Sequence, residues 1–199
     1  MTRRLGLLGG SFNPVHNAHL ALARCALDTL RLDALTWLPA GRPWQKNAVE
    51  LAPAADRLAM LALAIDGEPC FRIDRCEIDR QGATYTIDTL AHLRSLDPDA
   101  GWVLIVGQDQ WARFDSWRRW PEILRAATIA VAGRGGETPQ TPAAVAAERP
   151  ALVMLPLAPL HISATAIRAR VAAGLGAGDA VPPAVARYID RHHLYRTRT

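Results

Sequence analysis

Residues 5–20, LGLLGGSFNPVHNAHL, constrain the fold more than any other stretch of this chain. Leu5 to Leu8 is an apolar run of the length of a short buried strand. Gly9 and Gly10 interrupt it and let the backbone approach whatever lies above. Asn13-Pro14 imposes a turn, because a residue before proline is driven out of the α region. From Ala18 to Leu30 the apolar spacing becomes helical. Strand, glycine turn and helix therefore follow one another directly. His16 and His19 fall at the helix N-terminus, on one face. Unpaired amide N–H groups and the positive end of the helix dipole point the same way. That combination suits a polyphosphate, although helix capping is the plainer reading of the two histidines. The segment is not a Walker loop, since GxxxxGK[ST] occurs nowhere in the chain. Imidazoles stand where a P-loop would place its lysine.

Strands and helices alternate along the remainder. Strands are expected over Ala34–Leu38, Phe71–Asp79, Trp102–Val106, Thr128–Ala132 and Leu152–Leu155. The alternation in Phe71–Asp79 gives that strand one wet face. Helices are expected over Ala54–Ile65, Thr84–Leu96, Pro121–Ala127, Ser163–Ala173 and Pro183–His192. Thr84 or Thr86 is the candidate N-cap of the second of these, and Ser163 caps the fourth. Gly133 to Pro150 reads as the stretch most prone to mobility, and Gly174 to Pro183 as a hinge. The fold class is α/β: one doubly wound parallel sheet, Rossmann-like, with residues 1–199 as a single domain. Residues from about 161 to 199 form a small helical C-terminal segment. Ligands of such sheets bind beyond the carboxyl ends of the strands. The informative motifs follow Leu8, Leu38, Val106, Ala132 and Leu155, at those ends. Gly174-Leu175-Gly176-Ala177-Gly178 imitates a dinucleotide fingerprint, but it follows a helix and reads as a helix end.

Composition excludes several classes. The chain has 199 residues, 50% hydrophobic and 21% charged, which suits a globular domain with a full core. No apolar run approaches the roughly 20 residues a membrane span needs. The first strand begins almost at Met1, leaving no space for a signal peptide, and Cys25, Cys70 and Cys76 are unclustered. A cytoplasmic protein with reduced thiols is expected. Net charge is +4, yet the basic residues are scattered, so a small polyanion explains the sign as well as nucleic acid does. Neither a nucleic-acid nor a membrane partner is expected, and a homo-oligomer stays open. Of 23 Lys+Arg residues only Lys46 is lysine, which marks it within the Pro- and Gly-rich stretch Pro39–Pro53.

GGSFNPVHNAHL resembles the first signature of the nucleotidylyltransferase superfamily, with Ala18 where the family usually has Gly. Further segments extend the resemblance along nearly the whole chain, to the branch of bacterial nicotinate-mononucleotide adenylyltransferases. They are Leu38-Pro39 through Pro43-Trp44-Gln45-Lys46, Thr84-Tyr85-Thr86-Ile87-Asp88-Thr89-Leu90, Ile105-Val106-Gly107-Gln108-Asp109, Trp117, Val131-Ala132-Gly133-Arg134, Ile162-Ser163-Ala164-Thr165-Ala166-Ile167-Arg168 and the run Val185 to Tyr195. Ala164 replaces a serine of the family pattern, which removes one hydroxyl contact. The resemblance implies transfer of AMP from ATP to nicotinate mononucleotide, with release of pyrophosphate. Its ATP-binding residues would be Gly9, Gly10, Ser11, Phe12, His16, His19, Gly107, Asp109, Ser163, Thr165 and Arg168. Its mononucleotide-binding residues would be Asn13, Lys46, Thr84, Tyr85, Thr86, Trp117 and Arg134.

The chemistry agrees with the residue types. The nucleophile is a phosphate oxygen, already largely ionised at pH 7, so no general base is needed. Positioning and charge stabilisation suffice, from His16, His19, Lys46 and Arg168 as the catalytic set. His19 is assigned to the α-phosphate, His16 to the triphosphate, Ser163 and Arg168 to the pyrophosphate side, and Lys46 to phosphates across the cleft. Mg2+ is expected as cofactor, held mainly by ATP oxygens and water with no protein ligand cage. Asp109 suits a ribose diol and Trp117 a pyridine ring; a turn-forming Asp and a surface aromatic are their plainer readings. His92, His161, His192 and His193 are left without a role. Three rivals remain at this point: another adenylyl- or cytidylyltransferase, such as one acting on phosphopantetheine; a nucleotide-binding module without turnover; and an RNA-binding fragment related to class I synthetases, which shares the histidine pair but for which the basic and aromatic patterning is lacking.

Overall fold

The computed structural model describes residues 2–41, 51–133, 139–158 and 160–196. Six strands form one all-parallel sheet in the order β3-β2-β1-β4-β5-β6. They are β1 (Arg4–Gly10), β2 (Ala34–Pro39), β3 (Phe71–Ile73), β4 (Gly101–Gly107), β5 (Thr128–Ala132) and β6 (Leu152–Leu155). The helices are α1 (Asn17–Leu30), α2 (Ala54–Ile65), α3 (Cys76–Asp79), α4 (Thr86–Leu96), α5 (Gln108–Trp111), α6 (Trp120–Ala126), α7 (Ala143–Ala147), α8 (Ala164–Ala172) and α9 (Pro183–Arg191).

The period-2 geometry of a strand sends successive side chains to opposite faces. In β4, Val103 and Ile105 join one core with residues of α1, α2, α8 and α9. Trp102, Leu104 and Val106 join another with residues of α4, α5, α6 and α7. Both faces are covered, which is why the central strands read as unbroken apolar runs. Trp37, Trp111, Phe12 and Phe114 are among the largest fully buried side chains, each contributing about 1.5–3 kcal/mol by removal from water.

The doubly wound parallel sheet is as the sequence indicates, and β5 and β6 have the expected bounds. Four expectations need correction. The strand foreseen over Phe71–Asp79 stops at Ile73. Pairing with β2 ends at Trp37↔Ile73, and the Asp74 carboxylate accepts the Cys76 N–H at 2.8 Å. That local bond turns the chain into α3, because a short Asp side chain competes with the ladder for backbone donors. The N-cap of α4 is Tyr85, neither Thr84 nor Thr86. The Gly133–Pro150 stretch contains α7, anchored by fully buried Val145 and by a Trp111 Nε1–Thr141 Oγ1 bond of 2.9 Å; residues 134–138 lie outside the described residues. Likewise the presumed hinge is packed: Ala177 and Val181 are buried and Asn17 donates to the Asp179 carbonyl at 2.7 Å. The glycine cluster at its start follows the end of α8, with Gly174 left-handed at φ 77°.

Candidate functional site

Gly9 and Gly10 are the last residues of β1, opposite Leu38 and Pro39 of β2. Gly107 ends β4, opposite Ala132 of β5, which in turn faces Leu155 of β6. A Cβ added at Gly9 or at Gly107 would meet nothing within 4 Å. These two open positions lie on β1 and β4, the neighbours between which the winding of the sheet reverses and where such folds bind ligands. Gly10 is glycine for another reason: a Cβ there would sit 2.9 Å from the Phe12 ring. Phe12 has a left-handed backbone, φ 44°, and a buried ring against Trp37 (centroids 5.3 Å) and the edge of His19 (5.2 Å). Its side chain is therefore a packing group, and only its backbone is left to meet a ligand.

His16 is the N-cap of α1, and the His16 and His19 rings stack with centroids 3.7 Å apart and planes at 20°. His19 Nδ1 accepts the His16 backbone N–H at 3.2 Å. An accepting nitrogen carries no proton, so this bond assigns the His19 proton to Nε2. His16 is buried, and desolvation lowers its pKa to about 4. At pH 7 it is therefore a neutral donor; bound phosphates would favour its charged form. Because the folded pKa lies below the unfolded value of 6.5, the unfolded chain takes up the proton first. Stability is expected to fall as pH drops from about 6.5 to about 4, by about 3 kcal/mol from this group. Denaturant unfolding across that range checks it: His16→Gln should flatten the slope, and parallel curves for the two proteins would remove His16 as its source.

Asn13 is 2% exposed. Its Oδ1 accepts the Ala52 N–H at 3.0 Å and the Tyr195 hydroxyl at 2.9 Å. Its backbone carbonyl accepts Arg168 Nη1 at 3.0 Å, and Arg168 Nη2 reaches Thr165 Oγ1 at 3.4 Å. Ser163 caps α8, its Oγ accepting the Ala166 N–H at 3.2 Å. Two sequence motifs from opposite ends of the chain are thus joined. Burial, the largest effect on Tyr195, raises its pKa and keeps the hydroxyl a donor. Asp109 lies exposed in α5, just beyond Gly107. Lys46 and Arg134 lie outside the described residues, as does most of the Gly41–Ala52 loop that carries Lys46.

A second cluster surrounds the start of α4. The N–H groups of Asp88 and Thr89 bond to the Tyr85 carbonyl at 3.0 and 3.2 Å. Those of Thr86 and Ile87 find no acceptor among the described residues, and no side chain caps the helix. Arg118 lies 4.6 Å over the Tyr85 ring, so the turn carrying Trp117 rests against this helix start. Trp117 stacks on Phe114 with centroids 5.0 Å apart. Beneath, Thr89 Oγ1 donates to Glu77 Oε1 at 2.9 Å, with the buried Thr84 side chain nearby. Burial raises the Glu77 pKa above the usual carboxylate value.

Tyr195, Glu77 and Arg57 escape a reading of the sequence. Tyr195 ends a run that matches the family pattern, which was its only signal. Glu77 sat in an alternating stretch, and Arg57 on an amphipathic helix, where charged residues normally face water. Among the described residues no group of three or more His, Cys, Asp or Glu is placed to hold a metal ion, and no helix is long and apolar enough to cross a membrane.

Residues 7–170 match the model of the cytidylyltransferase-like family. A protein of Methylibium petroleiphilum named as a probable nicotinate-nucleotide adenylyltransferase is 47% identical over 97% of this chain and 92% of its own. One of the same name from Neisseria meningitidis serogroup B is 42% identical over 97% and 98%. Solved structures of the Plasmodium falciparum nicotinic acid mononucleotide adenylyltransferase, complexed with APC or with NaAD, superpose with a TM-score of 0.76 over 97% of both chains. At 18% and 19% identity those two are similar in fold.

Proposed function

This chain belongs to the cytidylyltransferase-like family, and from that premise we infer that it is the nicotinate-nucleotide adenylyltransferase that its relatives of 42–47% identity are named for. It transfers AMP from ATP to nicotinate mononucleotide in NAD biosynthesis, giving nicotinate adenine dinucleotide and pyrophosphate. A phosphate oxygen of the mononucleotide attacks the α-phosphorus of ATP, and the bond from that phosphorus to the pyrophosphate oxygen breaks. The observation that carries the site assignment is the stacked His16–His19 pair beside the open ends of β1 and β4.

His19 Nε2–H is assigned to the α-phosphate and His16 to the triphosphate. Ser163, Thr165 and Arg168 take the leaving pyrophosphate at the capped start of α8. Gly9, Gly10, Ser11, Phe12 and Gly107 offer backbone to the nucleotide, and Asp109 a carboxylate to the ribose. Thr84, Tyr85, Thr86 and Trp117 receive the pyridine ring and its carboxylate. Asn13, with both Oδ1 contacts taken up by the protein, shapes the phosphate turn more than it touches substrate. Lys46 and Arg134 supply phosphate-binding cations, on the family resemblance alone. Mg2+ would be held mainly by ATP oxygens and water, where it would offset phosphate charge. Residues 1–199 act as one unit, a reading supported by the shared core of α1, α2, α8 and α9.

Pyrophosphate release tests the reading, with ATP and Mg2+ against nicotinate mononucleotide, nicotinamide mononucleotide and phosphopantetheine in turn. Turnover with nicotinate mononucleotide is expected. Turnover with phosphopantetheine alone would move the chain to another branch, and none with any would leave a binding module.

A further inference from the structure

Arg57, on α2, is 2% exposed. Its Nη1 donates to the Ser11 carbonyl at 2.9 Å and to the Ala40 carbonyl at 2.8 Å, and its Nε donates to the Ala52 carbonyl at 3.1 Å. Three separate segments meet on one guanidinium: the turn after β1, the end of β2, and the residue pair leading into α2. No carboxylate pairs with it among the described residues. A buried cation satisfied only by carbonyls is costly to keep, since burial disfavours the charged form. Packing alone would be served as well by an apolar side chain of similar size.

The bond to Ser11 has a stereochemical consequence. In a planar trans peptide the C=O and the following N–H point in opposite directions. With the Ser11 carbonyl drawn down onto Arg57, the Phe12 N–H must point away from the buried guanidinium. Phe12 is 1% exposed, yet its N–H has no acceptor among the described residues. Buried backbone donors are nearly always paired. This one follows two strand-end glycines and lies in a turn whose Asn13 carbonyl is held by Arg168. Its left-handed backbone at φ 44° is of the kind that gathers successive N–H groups into an anion-binding concavity.

We propose that Arg57 is a positioning residue of the adenylyl transfer: it fixes the Ser11–Phe12 peptide so that the Phe12 N–H is presented to the phosphates of ATP. This rests on the phosphate-site reading above. The guanidinium does not touch the nucleotide; it sets the direction of a donor that does. Its charge adds a buried positive potential beneath that donor, balanced when the polyphosphate binds. A lysine keeps the charge but cannot span three carbonyls with a planar fork, so Arg57→Lys separates direction from charge.

Two measurements test this. In Arg57→Lys, checked for its fold by circular dichroism, the Kd for magnesium pyrophosphate and the KM for ATP are expected to rise by about tenfold, the size of one mispositioned phosphate donor. The KM for nicotinate mononucleotide should move less than twofold. A purely structural role would lower the melting temperature but leave the pyrophosphate Kd of the folded protein unchanged, and that result overturns the proposal. The second measurement uses the unsubstituted protein, so it stands even if the variant does not fold. Hydrogen exchange of the Phe12 amide is expected to slow on saturation with magnesium pyrophosphate. Binding of pyrophosphate without any slowing at Phe12 sinks the role of Arg57 alone. No binding at all sinks the phosphate-site reading, and this proposal with it.

Discussion

His19→Ala is expected to lower kcat by about 10²-fold or more while the protein stays folded. The size follows from removing one preorganised donor aimed at the charge that develops on the transferring phosphate, typically 10²–10³ in rate. The structure sharpens the reason. His19 Nδ1 is already engaged by the His16 N–H, so the ring cannot swing freely and its proton is held at Nε2. The stacking on His16 and the edge contact with Phe12 fix the remaining degrees of freedom. Alanine removes the donor and the ring together. It also leaves the His16 N–H without its acceptor, a loss of about 1 kcal/mol, which corresponds to about 2–4 °C in Tm for a protein of this size. Turnover and melting should be measured on the same preparation. A variant with near-parental kcat would take His19 out of the mechanism; a variant that has simply unfolded would show itself in the melt.

The parallel sheet was readable because its central strands are apolar on both faces, as the split of Val103 and Ile105 from Trp102, Leu104 and Val106 into two cores requires. The strand, turn and helix at the start of the chain were readable because glycine, proline and histidine each carry a local backbone or side-chain consequence. What escaped depends on contacts between segments distant in sequence. Arg57 reads as an ordinary helix-surface residue until Ser11, Ala40 and Ala52 close around it. Glu77 was hidden by an alternation that mimics a strand, and only the Asp74–Cys76 bond reveals the turn. Tyr195 reaches Asn13 across the whole chain. Burial also changes the part given to His16. Read from sequence it is one cation among several, whereas desolvation leaves it a neutral donor at pH 7. Trp117 shows the reverse: a stacking aromatic was legible, but its Phe114 partner, which covers one face, was not.

The acid of the mononucleotide is expected to be preferred over its amide by at least about tenfold to a hundredfold in kcat/KM. Nicotinate carries a carboxylate where nicotinamide carries a neutral amide. At the start of α4 the Thr86 and Ile87 N–H groups lack acceptors among the described residues, because Tyr85 stands where a capping Ser, Thr or Asp would accept from them. These donors and the positive helix end suit an anion. An amide NH2 set against them would place donor against donor, a mismatch of about 1–3 kcal/mol. Charge-assisted bonds to a carboxylate are about twice as strong as neutral ones. Arg118, over the Tyr85 ring, adds a positive charge on the same side. Glu77 works the other way, since an ionised carboxylate near Thr84 would repel the acid and could accept from an amide. Its Oε1 is engaged by the Thr89 hydroxyl, however, and the nearby Arg80 guanidinium, which also donates to Thr89 Oγ1, offsets its charge. The unpaired backbone donors therefore outweigh it. The ratio of kcat/KM for the two mononucleotides, under identical ATP and Mg2+, decides the matter. Equal rates, or a preference for the amide, would falsify the assignment of the α4 N-terminus as the carboxylate site. Glu77→Gln should then leave the ratio unchanged or raise it, and a fall in the ratio would show that Glu77 holds the donors in place more than it repels the acid.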